Sequence, residues 1–177
     1  MIEKHLRALT KHPCWGVHLE PQVNMSMSFG APRLVIREPR VSRAKSAKVR
    51  RLFAHRLVSI RGRWWLWLYC SRWTLSVTGL SPVRSTSSTR RIRETLGLLD
   101  GQRITAVVIS PVDAQTCFRF DLGAVLTVRA LAGSASDDLW SLYKPNGQVL
   151  SVRGNGTFSH GPGNLPGDYR PISSVAR

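Results

Sequence analysis

The chain of 177 residues has the length of one domain of ordinary size. Its 42% hydrophobic and 20% charged residues are typical of a globular protein and exclude a disordered chain, which contains less apolar material. The charge balance is unusual, because 26 Lys and Arg face only 10 Asp and Glu, a formal net charge of +16. Such an excess attracts polyanions, so the composition favours nucleic acid, an anionic membrane surface or an acidic protein as partner.

The compartment follows from the cysteines and from apolar runs. Three cysteines, an odd number with no two close in sequence, argue against a disulfide framework and favour a reducing compartment. Residues 1–10 lack the apolar stretch of a secretory signal. The longest apolar run, residues 64–70, is far shorter than the ~20 residues of a membrane-spanning helix. We therefore predict a cytoplasmic location without a transmembrane segment.

The first predicted elements are a lead-in and a hairpin. Residues 1–30 are interrupted by prolines and predict an irregular lead-in, except that residues 23–29 alternate apolar and polar side chains as a half-buried strand does. Gly30, Ala31 and Pro32 predict a turn, and residues 33–37 predict a second strand. The two strands would form a hairpin.

A basic segment comes next. Residues 37–63 contain ten Lys and Arg but one acid, whereas residues 104–177 contain six basic residues and five acids. Such a one-sided distribution often marks an interaction surface. Within it, residues 39–53 fit no clear period, so two interpretations remain: a flexible loop, or a short basic helix around residues 44–52.

The strongest strand signals follow that segment. Residues 57–60 predict a strand, Gly62 predicts a turn, and residues 64–69 are apolar at every position, which predicts a central strand covered on both faces. Residues 73–77 alternate again. A helix is predicted near residues 86–99, because hydroxyl side chains precede it and apolar residues recur at helical spacing.

The remainder predicts further strands and a tail. The strand candidates are residues 104–110, 116–121, 124–129, 139–143 and 148–153, separated by Gly- and Asn-containing turns. Residues 159–177 predict a Gly/Pro-rich tail. The fold class is therefore mostly β, at the margin of α+β: an antiparallel curled sheet, barrel or sandwich of about nine short strands with one inserted helix. The single strand-rich domain would span residues 31–158.

No motif predicts an enzyme, a metal site or a cofactor. His12, Cys14, His18 and Glu20 carry zinc-ligand atoms, but their spacing matches no standard finger, so coincidence is the favoured interpretation. His160 lies in a Gly-rich stretch and would suit a general base. That role needs a nucleophile and an orienting carboxylate, which the sequence does not identify. We favour a turn in which His160 bonds to backbone groups.

Basic and aromatic residues together form the remaining pattern. Arg61, Arg63 and Arg72 bracket a Trp-rich run, a combination with which OB-type barrels stack bases and hold phosphates. The alternative, which we favour, is that the tryptophans pack in the core. The predicted anion-binding residues are Arg43, Lys45, Lys48, Arg50, Arg51, Arg61, Arg63, Arg90, Arg91 and Arg93.

Residues 63–163 resemble small uncharacterised bacterial proteins to which no activity is assigned. The resemblance lies in the runs WLWLYC at residues 65–70, FRFDLG at 118–123 and WSLYKPNG at 140–147. It implies an accessory protein of the immunity or mobile-element kind and brings no catalytic residues.

Two functional hypotheses follow. The first is a non-enzymatic binding module for an anionic partner, most plausibly nucleic acid, through an Arg-rich face. The alternative is an immunity- or adaptor-type protein that binds an acidic protein partner.

Overall fold

A computed structural model describes residues 2–21, 24–69 and 71–172. Within these ranges lie twelve strands and three α-helices. In chain order they are α1 (Glu3–Leu6), β1 (Cys14–Leu19), β2 (Met25–Arg37), α2 (Ala47–Ala54), β3 (Leu57–Leu68), β4 (Ser71–Ser76), β5 (Val83–Arg84), α3 (Thr89–Leu96), β6 (Ile104–Ile109), β7 (Thr116–Phe120), β8 (Val125–Ala130), β9 (Asp138–Tyr143), β10 (Gln148–Arg153), β11 (Thr157–Pro162) and β12 (Arg170–Pro171).

The strands form two antiparallel sheets that pack face to face. One sheet has the order β1-β2-β3-β9-β10-β11-β12 and the other β5-β4-β8-β7-β6. Neither sheet closes into a barrel. The predicted fold class is confirmed in its sandwich form. The described residues hold more strands than the nine predicted, partly because β5 and β12 are two-residue pairings that no alternating pattern can reveal.

The core lies between the inner faces of the two sheets. Phe29, Leu66 and Leu142 point inward from the seven-stranded sheet, and Trp73 and Phe118 point inward from the five-stranded sheet; all five are almost completely buried. Period-two alternation along each strand produces these faces. Residues 64–68 of the apolar run lie in β3, which ends at Leu68 and has the predicted central position, between β2 and β9.

One tryptophan links the sheets directly. Trp140 of β9 has no exposed surface, and its indole Nε1 donates a 2.8 Å hydrogen bond to Thr116 Oγ1 of β7. Its ring also meets the Phe118 ring edge-on, with centroids 6.0 Å apart. A buried indole N–H needs such an acceptor, so this contact satisfies Trp140 where the two layers meet.

The predicted turns at residues 30–32 and at Gly62 are wrong. The chain continues through both places, so β2 and β3 are single long strands paired from Met25 and Leu68 to Arg37 and Leu57. The Gly/Pro stretch forms a β-bulge in β2 instead, where Gly30 has φ +72°. A Cβ on Gly62 would lie 2.5 Å from the Phe29 carbonyl oxygen, so glycine lets the two backbones approach at the bulge.

Beyond the bulge, β2 and β3 leave the sandwich as a two-stranded ribbon. The last β2 residue paired with β1 is Phe29, and the first β3 residue paired with β9 is Trp65. Residues 32–37 and 57–62 therefore pair only with each other among the described residues. Residues 38–56, which include α2, connect them. We call residues 32–62 the arm.

The helix predictions are partly confirmed. α3 begins at the Ser88 cap, whose Oγ accepts from the Arg91 amide, and a short 3-10 turn continues it to Leu99. Of the two interpretations of residues 39–53, the short basic helix is the closer, since α2 follows a Ser46 cap. α2 and α3 have eight residues each, and no helix in the described part of the chain has the length and apolar character needed to cross a membrane.

The predicted irregular ends join the larger sheet. Residues 14–19 form β1 and residues 159–162 belong to β11, so the prediction of irregular structure is wrong at these positions. Neither segment alternates cleanly in sequence, so the sequence did not predict a strand. Residues 14–19 form a strand because they pair with β2, and residues 159–162 because they pair with β10. Val23 of the first predicted strand, Cys70 of the apolar run and residues 173–177 of the predicted tail lie outside the described residues.

Candidate functional site

The arm concentrates the positive charge of the protein. Its 31 residues contain ten Lys and Arg and one acid, Glu38. Its strands carry Arg33, Arg37 and Arg61, and the other basic residues lie in the connection between the strands. The strands of the arm are held together by their pairing, and some of the cations make further contacts within the arm.

Two arginines fasten the beginning of the connection to α2. The guanidinium of Arg37 donates to the Leu52 carbonyl oxygen at 2.5 Å and lies 4.5 Å from the centroid of the Phe53 ring. Arg40 covers the same ring at 4.3 Å, and its backbone amide donates to the Phe53 carbonyl. Phe53 is therefore enclosed by two cations, which fixes the end of α2 against the strand.

Arg50 and Arg56 also act within the arm. Arg50 Nη1 donates to the carbonyl oxygens of Ala44 and Lys45, at 2.9 and 2.7 Å. Arg56 forms an exposed ion pair with Glu38 at 2.9 Å. These contacts order the chain on either side of α2. Arg50 was predicted to bind an anion, but its guanidinium group already bonds to the loop before α2.

Four other cations of the connection are exposed and make no contact of this kind. Across the described residues, no ion pair or side-chain hydrogen bond involves their charged groups. Their charges are therefore available to an external anion. We call them the tip cations: Arg43, Lys45, Lys48 and Arg51.

Arg61 and Arg63 lie at the base of the arm. The Arg61 guanidinium is 3.6 Å from the centroid of the Trp65 ring, and burial lowers its pKa. Arg63 is exposed, 5.6 Å from the Trp64 ring. Arg61 therefore covers an aromatic side chain, whereas Arg63, directly after the ribbon, is accessible to solvent.

The three helix arginines lie on a different element. α3 packs against β1 and β5. Arg90 pairs with Glu94 at 2.9 Å, Arg91 Nη2 donates to the Ser81 carbonyl at 3.2 Å, and Arg93 is exposed. The ten predicted anion-binding residues therefore divide into an arm group and an α3 group.

The tryptophans are mostly packed, as we favoured. Trp73 and Trp140 are in the core, and Trp65 is buried on the outer face of the larger sheet, beneath Arg61. The Tyr69 and Tyr143 hydroxyls on that face are 2.7 Å apart, and burial raises the pKa of Tyr69. All six tryptophans are buried or partly buried. They therefore do not form a freely exposed surface on which bases could stack.

The predicted anion-binding residues did not include Arg33, Arg37, Arg40 and Arg56. All four lie in the arm, and three of them are the residues that position it. The basic content of residues 37–63 includes Arg37, Arg40 and Arg56 but not Arg33. The common location of all four was not predicted, because the hairpin was placed at the wrong turn.

His160 lies in a compact cationic cluster. Its Nε2 is 3.1 Å from Lys144 Nζ, its ring stacks on the ring of His5 with centroids 4.0 Å apart, and His5 Nδ1 is 3.0 Å from the same amine. Burial and the Lys144 charge lower the pKa of His5 to about 4 and also lower the pKa of His160. The charges of Lys4 and Arg170 also face the cluster.

This cluster predicts acid-sensitive stability. Because folding lowers both histidine pKa values, the unfolded chain takes up protons that the folded chain resists. Stability is then fully present above the ordinary histidine pKa of 6.5 and falls as the pH decreases towards about 4. The double variant His5→Gln, His160→Gln should lose less stability than the native chain between about pH 7 and about pH 5 in urea unfolding. His18→Gln, at an exposed histidine, should lose as much as the native chain; an unchanged loss in the double variant would contradict the prediction.

The zinc-type residues of the lead-in have other contacts. Cys14 is buried and donates through Sγ to the Leu99 carbonyl at 2.8 Å, and burial raises the pKa of its thiol to about 12. The His12 ring stacks on Trp64, with centroids 5.1 Å apart. Within the described ranges, no three His, Cys, Asp or Glu side chains come together in a group that would hold a metal ion.

Comparison with known proteins finds no counterpart. No protein-family model, no curated protein sequence and no solved structure matches this chain.

Proposed function

We propose that the protein binds nucleic acid through its arm, without catalysing a reaction. The observation that supports this most is the set of four exposed tip cations, whose charged groups have no partner among the described residues and which lie in a connection that other cations of the arm hold in place. Lys and Arg side chains of this kind neutralise phosphates and release the counterions condensed on nucleic acid. Such contacts give affinity that depends on salt and little on sequence.

The dimensions of the arm agree with this role. A two-stranded β-ribbon or an α-helix is the size of element that enters the major groove of a duplex. The arm offers both, as paired strands followed by α2. Its Arg33 and Arg61 are directly opposite each other across the ribbon, and only Glu38 contributes negative charge.

The test separates the two groups of predicted residues. Binding of the purified protein to random single- and double-stranded DNA and RNA is measured from about 50 to about 200 mM salt. The tip variant, with Lys45→Gln, Lys48→Gln and Arg51→Gln, should reduce the slope of log affinity against log salt by about 3 and weaken binding on the order of 100-fold.

The matched control is the α3 variant, with Arg90→Gln, Arg91→Gln and Arg93→Gln. It removes three positive charges, as many as the tip variant does, but from the other predicted group. The change in long-range electrostatics is therefore similar in the two variants. We expect it to bind within a few-fold of the native chain. Equal losses in both variants would mean that net charge, and not the arm, determines binding; absence of binding at low salt would refute the proposal.

An acidic protein is the second candidate partner. Four apolar side chains of the arm, Leu34, Ile36, Val58 and Ile60, share the face that continues the core-facing side of the sheet, and each is more than half exposed. An exposed apolar strip bordered by charges is typical of protein interfaces. This candidate predicts a single protein recovered by pull-down that stays bound after nuclease treatment, whereas a nuclease-sensitive complex favours the first.

A further inference from the structure

The outer face of the five-stranded sheet carries a second group of arginines, remote in sequence from the arm. Arg72 of β4 and Arg129 of β8 are directly opposite each other. Thr74, two residues along β4, pairs with Thr127 on one side and with Arg84 of β5 on the other. Antiparallel register therefore places three arginines and two threonines on one face.

These residues line a shallow groove together with Thr86. Its volume is about 490 Å³, and no Asp or Glu is among the residues that line it. Ser85 extends the β4–β5 register by donating to the Trp73 carbonyl, which brings Thr86 beside Arg72. We call this the arginine groove: Arg72, Thr74, Arg84, Thr86, Thr127 and Arg129.

The guanidinium groups of Arg72, Arg84 and Arg129 have no hydrogen-bond or ion-pair partner in the part of the chain that the structure describes, and all three residues are exposed. Arg129 contributes slightly to the lowered pKa of Asp113, which is due chiefly to a Ser110 hydrogen bond. Asp113 does not line the groove, so no carboxylate lies among the residues that line it beside the three arginines.

The spacing of the groove matches a small multivalent anion. Neighbouring strands are about 4.8 Å apart and alternate residues of a strand about 6.7 Å apart. Three arginines within that grid can direct their N–H groups to one centre, and threonine hydroxyls supply further donors at its floor. Guanidinium forks are the side chains best suited to phosphate oxygens.

We propose that the arginine groove binds a phosphate group carrying two or more negative charges, as a phosphate monoester or a diphosphate. Three positive charges match such a group better than a phosphodiester, which carries one negative charge per phosphate. This proposal is independent of the arm, and it assigns the groove to a small phosphorylated ligand.

The experiment measures binding of pyrophosphate and of phenyl phosphate to the full chain by calorimetry. One site per chain is expected, and Arg84→Gln or Arg129→Gln should weaken binding about tenfold or more. Arg119→Gln is the matched control, because Arg119 is an exposed arginine on the same outer face that does not line the groove. It should bind within about twofold of the native chain. The tighter of the two probes identifies the diphosphate or the monoester as the ligand class.

The tip variant of the arm distinguishes this site from the proposed nucleic-acid interface. It should bind pyrophosphate as the native chain does, even though its nucleic-acid affinity falls. No saturable binding of either probe, or equal weakening by Arg119→Gln and Arg84→Gln, would overturn the proposal. The proposal would also be overturned if the groove bound neither probe but did bind, through Arg84, an oligonucleotide without a terminal phosphate. The groove would then contact the phosphodiester backbone of nucleic acid.

Discussion

Replacing residues 34–60 with Asn-Gly should abolish nucleic-acid binding and leave the sandwich folded. Arg33 and Arg61 are cross-strand partners, so a two-residue turn can close the shortened β2–β3 hairpin between them. The deletion removes eight Lys and Arg and one acid, including all four tip cations. If about six of these contact phosphates, the salt slope should decrease by about 5, and affinity should fall by more than about 100-fold.

The structure explains why the deletion should be tolerated. None of the apolar residues lost with residues 34–60 belongs to the core cluster, and most of them are exposed. The bulge that anchors the arm, with Gly30 and Gly62, stays in place. Surface segments without buried contacts contribute little to stability. The shortened chain should therefore unfold at nearly the same urea concentration as the native chain.

Two measurements decide the outcome. Urea unfolding and circular dichroism establish that the shortened chain is folded, and the salt series establishes what it binds. A folded chain that retains its affinity and salt slope would place the interface elsewhere, with the α3 arginines as the next residues to test. A chain that no longer folds would show that the arm stabilises the sandwich, and the tip variant then carries the functional test alone.

The fold could be predicted as far as local alternation allowed. β4, β7, β8 and β10 alternate or are apolar in sequence, and each was predicted close to its observed bounds. Local alternation could not predict the bulge, because Gly30-Ala31-Pro32 has the composition of a turn and yet lies inside β2. Whether such residues turn the chain or bulge it depends on the partner strand, and here Gly62 accommodates the bulge from β3.

The candidate sites were predictable in composition but not in arrangement. The basic content of residues 37–63 was plain, whereas the division of its cations into those that hold the arm and those left free depends on contacts such as Arg50 with Ala44. The arginine groove was beyond sequence reasoning for a related reason. Arg72 and Arg129 are 57 positions apart, and only the β4–β8 register brings them together.

The largest stability effect is expected for Trp140→Ala. Trp140 is fully buried between the sheets, and removing its side chain leaves a cavity that rigid strands on both sides cannot fill. Substitutions of this kind cost about 3–5 kcal/mol of unfolding free energy. Since a domain of this size is stable by about 5–15 kcal/mol, the variant should lose about a fifth of its stability or more.

Two further variants identify the source of that loss. Thr116→Val removes the acceptor of the indole hydrogen bond, together with the hydroxyl that donates to the Ala114 carbonyl. It should cost about 1–3 kcal/mol, because a buried N–H is then left without a partner. Trp64→Ala changes a tryptophan that is only partly buried and should cost less than Trp140→Ala. Urea unfolding of the three variants gives the comparison. If Trp140→Ala cost no more than Trp64→Ala, the two sheets would not be held together at Trp140, and the packing of the sandwich described above would be wrong at its centre.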